Sequence, residues 1–65
     1  MTRADFENLK EGDLLTSETR DAVILVQKHF NGWYVKDCEY SEDIQDYVPT
    51  GSDYILTASE IKRDF

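Results

Sequence analysis

The chain has one histidine, His29, and one cysteine, Cys38, so a Cys–His pair is the only nucleophilic dyad it can build. That chemistry needs the two side chains within hydrogen-bond reach, about 3 Å. Both fall on opposite arms of a predicted hairpin. A tight turn there pairs His29 with position 33 or 34, which leaves Cys38 four or five residues further along the strand. At about 3.4 Å per residue that is roughly 14–17 Å, too far for proton transfer. Cys38 reads as a small core or sheet residue and His29 as a surface residue at the hairpin end. Ser59-x-x-Lys62 matches a catalytic fragment by spacing alone. No activated nucleophile or base emerges, and the expectation is a chain that is not an enzyme.

Carboxylates are the second chemical resource. Asp37, Glu39, Glu42, Asp43 and Asp46 are hard oxygen ligands within ten residues. They lack the spacing of a calcium loop, with no turn glycine and no closing carboxylate. Structural zinc needs four Cys or His ligands and the chain offers two such residues. A solvated acidic segment is expected, with no metal and no cofactor.

The third resource is the combination of charge and rings. No Lys or Arg occurs between Lys36 and Lys62, an interval that holds Asp37, Glu39, Glu42, Asp43, Asp46, Asp53 and Glu60. Tyr40, Tyr47 and Tyr54 are interleaved with these acids, Pro49 lies among them, and Trp33 and Tyr34 stand just before. Aromatic faces and carboxylates together suit a basic partner, a Lys/Arg-rich peptide or protein surface, through cation–π and ion-pair contacts. The expected partner-binding set is Trp33, Tyr34, Asp37, Glu39, Tyr40, Glu42, Asp43, Asp46, Tyr47, Pro49, Asp53 and Tyr54, and at least two of its five aromatics are expected in the core instead.

Short strands must position these groups. Asp5 is a candidate cap for a short opening turn with Phe6 and Leu9 on one face. Gly12-Asp13 reads as a turn, Asp13 to Ser17 as a first strand, and Glu18 to Asp21 as a loop. Ala22 to Phe30 and Trp33 to Tyr40 are rich in β-branched and aromatic residues and flank Asn31-Gly32, a pair suited to a tight primed turn. A two-residue turn pairs Phe30 with Trp33, and a three-residue loop pairs His29 with Trp33; the two registers exchange which side chains face the core. Ser41 to Asp46 is an acidic loop. Tyr47-Val48-Pro49 reads as an edge strand, since proline cannot donate to a central ladder. Thr50 to Asp53 is a turn and Tyr54-Ile55-Leu56 a further strand. The tyrosines at 40, 47 and 54 are seven apart, but Pro49 and Gly51 rule against a helix through them. Thr57-Ala58-Ser59-Glu60 matches a capping box, so a helical turn follows, with Ile61 inward and Phe65 joining it at i+4.

Composition sets the frame. Sixty-five residues make one domain, 1–65, with 40% hydrophobic residues and no room for a deep enclosed site. Fourteen acidic residues against seven basic ones give a net charge of −7, which repels nucleic acid and anionic membranes and attracts basic partners. The longest strictly apolar run, Ala22 to Val26, is too short to span a bilayer. The N-terminal residues lack an apolar signal core, and the lone cysteine forms no intrachain disulfide; both favour a cytoplasmic setting.

Several short strands with a terminal helical turn suggest an all-β, mainly antiparallel fold of about five strands, closed into a small barrel that protects its edges. The order resembles an SH3-like barrel. Phe6 to Leu15 resembles the apolar-x-x-x-x-Gly-Asp-apolar entry into an early strand of such folds, Gly32-Trp33-Tyr34-Val35 the aromatic pair of a middle strand, and Tyr47-Val48-Pro49 with Tyr54-Ile55 the closing segment of peptide-binding SH3 domains. The N-terminal aromatic motif of those domains is missing, two extra residues separate Pro49 from Tyr54, and the spacing from Gly12 to Trp33 fits the broader family, with Tudor-like modules, better. The resemblance implies a fold and a non-catalytic binding role. It also raises a proline-rich peptide groove built from Trp33, Tyr47, Pro49 and Tyr54, or a methyl-lysine cage. Size and acidity are similar to those of phage-encoded inhibitors that imitate nucleic-acid phosphates, at one charge per about 1.7 Å of duplex.

Overall fold

A computed structural model describes all residues, 1–65. The chain opens with α1 (Arg3–Glu7), continues through β1 (Leu14–Leu15), β2 (Ala22–His29), β3 (Gly32–Ser41) and β4 (Asp46–Thr57), and ends in α2 (Ala58–Asp64). The strands form one antiparallel meander in the order β1-β2-β3-β4. The mostly β, antiparallel architecture with a short terminal helix is as expected. There are four strands, not five, and the ladder runs open from β1 to β4.

The miscount has a local cause. Tyr47-Val48-Pro49 and Tyr54-Ile55-Leu56 are two halves of β4, and the stretch expected to turn between them is a bulge. Val35 pairs with Tyr54 and Asp37 with Thr50, so three residues of β4 oppose one of β3, and Gly51 takes φ +75° to permit it. Pro49 sits on this edge strand opposite Cys38, where a missing donor breaks no central ladder. β1 is only two residues long instead of five, although Gly12 and Asp13 extend its pairing through backbone bonds to Leu25.

The β2–β3 hairpin forms in neither expected register. His29 pairs with Gly32 and Lys28 with Trp33, so Phe30 and Asn31 make the turn. Neither has a positive φ, so the turn is not of the primed type. Gly32 is needed for another reason: a Cβ there would lie 2.0 Å from the Leu56 carbonyl oxygen. β4 passes that closely because Ala58 N–H donates to Asn31 O at 2.8 Å, which ties the start of α2 to the turn.

Alternation along β2 and β3 sends Val23, Leu25, Trp33 and Val35 to one face. With Leu15, Leu56 and Ile61 they form the core, and Met1, Phe6, Leu9, Tyr54 and Phe65 pack against it. Both helices therefore cover the same side of the sheet. Thr57 and Glu60 make the expected capping box at the start of α2. At α1 the cap is Thr2, whose hydroxyl accepts from Asp5 N–H at 3.1 Å, not Asp5 itself.

Candidate functional site

β2 ends its pairing at Ala22, opposite Cys38. Beyond that point β3 and β4 continue alone as a two-stranded arm, residues 39–48, in which Glu39 pairs with Val48, Tyr40 with Tyr47 and Ser41 with Asp46. The turn Glu42-Asp43-Ile44-Gln45 closes it, with Gln45 at φ 56°. β3 alone, ten residues at about 3.4 Å each, accounts for most of the 35 Å long dimension of the molecule.

The arm concentrates charge. Its ten residues hold Glu39, Glu42, Asp43 and Asp46 and no cation, which is more than half of the net charge of −7. Strand alternation divides its side chains. Glu39 and Asp46 lie on the side continuous with the helix-covered face, as diagonal cross-strand neighbours with like charge. Tyr40 and Tyr47 lie on the opposite side, edge to face at 5.4 Å between ring centroids. Glu42 and Asp43 occupy the tip beside Ile44, which is 61% exposed. Acids and rings thus form two sides of one thin ribbon, not a single mixed wall.

The other residues expected to bind a partner lie elsewhere. Trp33 is 4% exposed and belongs to the core, so it drops out of the binding surface; a large ring beneath two helices is what a domain of this size uses to fill its interior. Tyr34 is half-buried on the helix-free face, edge-on to His29 at 5.2 Å. Asp53 pairs with Lys36 at 3.6 Å. Pro49 sits at the base of the arm opposite Cys38. Tyr54 and Tyr47 emerge on opposite faces of the sheet and Trp33 is buried, so Trp33, Tyr47, Pro49 and Tyr54 line no common groove or cage.

Asp37 and Tyr54 form a second constellation with two residues that the sequence did not single out. The Tyr54 hydroxyl donates to Asp37 Oδ1 at 2.5 Å and accepts from Arg20 Nη2 at 3.2 Å. Arg20 Nη1 donates to Asp64 Oδ2 at 3.2 Å, and its guanidinium lies 5.4 Å from the Phe65 ring centroid. Burial, and then the hydrogen bond to Asp37, push the Tyr54 phenol above its ordinary value of 10.0. Hydrogen bonding from Arg63, assisted by Arg20, holds Asp64 down at about 2. Together with Thr19 and Asp21 these groups line an open hollow of about 350 Å³. Only the polarity of Arg20 in an otherwise acidic loop hinted at this network.

No protein-family model matches the chain, and no curated protein or solved structure is significantly similar to it. The geometry is therefore what bears on function. His29 and Cys38 stand six positions apart along the sheet, at Gly32 and Cys38 of β3. Burial raises the Cys38 thiol above its ordinary value, and the charge of Asp37 adds to the rise, which disfavours the nucleophilic thiolate. No group of three or more His, Cys, Asp or Glu side chains is placed to hold a metal ion. No helix is long and apolar enough to cross a membrane.

Proposed function

We infer that the chain is a non-catalytic protein-interaction module whose acidic arm, residues 39–48, docks on a basic protein surface or a Lys/Arg-rich peptide. The observation that carries this reading is the concentration of four carboxylates without a cation on a projecting two-stranded ribbon. Diagonal Glu39 and Asp46 and the adjacent tip acids repel one another, and that repulsion is relieved when a cationic surface approaches. Tyr40 on the reverse side and Ile44 at the tip add apolar contact at little entropic cost. The small antiparallel β scaffold is compatible with such a role and assigns no residue roles, since one architecture hosts many functions.

Titration with a lysine- and arginine-rich peptide tests the reading. D43N together with D46N is expected to weaken binding by roughly 3- to 30-fold, two exposed ion-pair contributions, and to flatten its dependence on salt. Unchanged affinity and salt slope would remove the arm from the function. Capture from host lysate beside the same double variant then identifies partners that depend on the arm. Displacement of duplex DNA from such a partner would assign the other expectation, imitation of nucleic-acid phosphate, in place of an ordinary docking module.

A further inference from the structure

Four of the seven basic side chains are held by carboxylates: Arg3 by Glu7, Arg20 and Arg63 by Asp64, and Lys36 by Asp53. Lys10, Lys28 and Lys62 are not, in a chain with twice as many acids as bases. Two of these three converge. The ammonium of Lys28, from β2, lies 4.7 Å from the centroid of the Phe6 ring, and that of Lys62, from α2, lies 5.7 Å from the same centroid. Lys28 also stands 5.1 Å from the Trp33 ring. Both lysines are exposed and Phe6 between them is half-buried. A ring face attracts a cation, but an ammonium has three N–H donors and a ring accepts no more than part of them. Trp33 adds a further unmet donor, since its Nε1 is buried without a hydrogen-bond partner. The cluster is therefore built of cations and donors, and no carboxylate closes it.

We propose that Lys28 and Lys62, on either flank of Phe6, bind an acidic segment of a partner protein, with one of its carboxylates met by both ammoniums. Reach is the first reason. Each ammonium rides on a flexible four-carbon stem with rotatable donors, so both can turn to one oxyanion while β2 and α2 stay in place. Relief of repulsion is the second. Folding gathers two like charges at one ring, and an anion between them offsets that cost. The exposed part of the Phe6 ring then meets the aliphatic stem of the incoming side chain. The overall field selects the class of anion. A net charge of −7 repels a nucleic acid or an anionic membrane as a whole. A single carboxylate within the ~8 Å Debye length at physiological salt responds chiefly to the two ammoniums beside it. The acidic arm lies too far away to fill the patch from within the chain. Trp33 and Tyr40 are seven positions apart on β3, roughly 24 Å at about 3.4 Å per residue and several Debye lengths. The patch is thus a second docking point of opposite sign, at the other end of β3 from the arm, and it does not rest on the function proposed above.

Titration of the isotope-labelled chain with a capped peptide carrying a Glu-Glu pair tests this, read by amide nuclear magnetic resonance. Saturable shifts should appear at Phe6, Lys28 and Lys62 and at the Trp33 indole N–H, because drawing Lys28 toward an anion changes the field over that ring. The same peptide with Gln in place of Glu should leave these signals unmoved. Lys62→Gln should weaken binding roughly 2- to 5-fold, the loss of one exposed ion pair, and Lys28→Gln with Lys62→Gln should remove the saturable shifts. Lys28→Arg keeps the charge and should still bind, as should Lys10→Gln, which removes the remaining unpaired lysine. Shifts that avoid the patch, equal shifts with the Gln peptide, or Lys10→Gln binding as poorly as Lys62→Gln would overturn the proposal. So would saturation of the patch by inorganic phosphate but not by the Glu peptide. If the double lysine variant does not fold by circular dichroism, Lys62→Gln decides, and wild-type affinity in that protein refutes the site. D43N with D46N should bind the Glu peptide within about 2-fold of the wild type, since screening isolates the arm from the patch. A change there as large as that of Lys62→Gln would assign the response to overall charge and refute the site, whatever the arm itself binds.

Discussion

Residues 22–25 and 39–41 illustrate two ways of being a strand in one sheet. The first segment is flanked by β1 and β3, sends Val23 and Leu25 under two helices, and exposes at most 1% of either side chain. The second has a neighbour on one side only, sends Glu39 and Tyr40 to opposite faces, and leaves both exposed. Backbone hydrogen bonding is common to both, so it does not explain why one is rigid core and the other a projection. Apolar burial does, at about 25 cal/mol per Å² removed from water. The arm lacks that contribution and holds together through its ladder and one tyrosine pair. Its carboxylates also guard two open edges against pairing with other chains, since charge on an edge strand discourages strand addition. A region maintained this way is free to serve a partner, because altering its surface leaves the core intact.

Trp33→Ala is the harshest test of that contrast. Removing a ring from the centre of the core should lower the unfolding free energy by about 3–5 kcal/mol, read from urea denaturation. The same experiment on D43N with D46N should move stability by less than about 0.5 kcal/mol. Equal effects would mean that the arm is part of the core after all.

The Arg20 network joins the C-terminal end of the chain to the sheet and should answer to pH. Asp64 titrates in the fold at about 2, below its ordinary 3.8. A lowered folded value means that the charged form favours the fold: the stabilisation is complete above about pH 3.8 and is lost as pH falls through about 2. Tyr54 has the opposite sign. Its raised value, caused first by burial and then by Asp37, stabilises the fold below pH 10.0 and is lost as pH rises through the elevated value. Asp64→Asn should therefore lower stability at neutral pH and flatten the acid limb of a melting-temperature profile, and Tyr54→Phe should flatten the alkaline limb. A wild-type acid limb retained in Asp64→Asn would assign it to other carboxylates.

Local patterns in the sequence carried much of the fold. The β-branched run at Ala22 to Val26, the aromatic strand after Gly32 and the capping box at Thr57 each express a short-range rule, and each appears where expected. Errors arose where tertiary contact outweighed local preference. Asn31-Gly32 has the composition of a primed turn, yet Gly32 answers to the close passage of Leu56 and the turn moves back by one residue. Thr50 to Asp53 has turn composition, but continued pairing with β3 absorbs it as a bulge. The candidate site was legible as a charge pattern and not as a surface. Spacing alone could not reveal that β2 stops at Ala22, which is what frees residues 39–48, nor that alternation would part the acids from the tyrosines. The Arg20–Tyr54–Asp37–Asp64 network spans 44 residues of sequence, and no local pattern announces a contact that distant.

The smallest effect should come from the tyrosine pair. Tyr40 and Tyr47 meet edge to face at 5.4 Å, an arrangement worth about 0.5–1.5 kcal/mol beyond area burial. If the arm opens on its own, Tyr40→Ala should not lower global stability by that amount, because the lost contact destabilises a unit that already opens independently of the core. Amide hydrogen exchange should then accelerate within residues 39–48 and stay unchanged at Val23, Leu25 and Val35. A matching acceleration at those three core positions would show that arm and core unfold together, and the distinction between a stabilising core and a free projection would no longer hold.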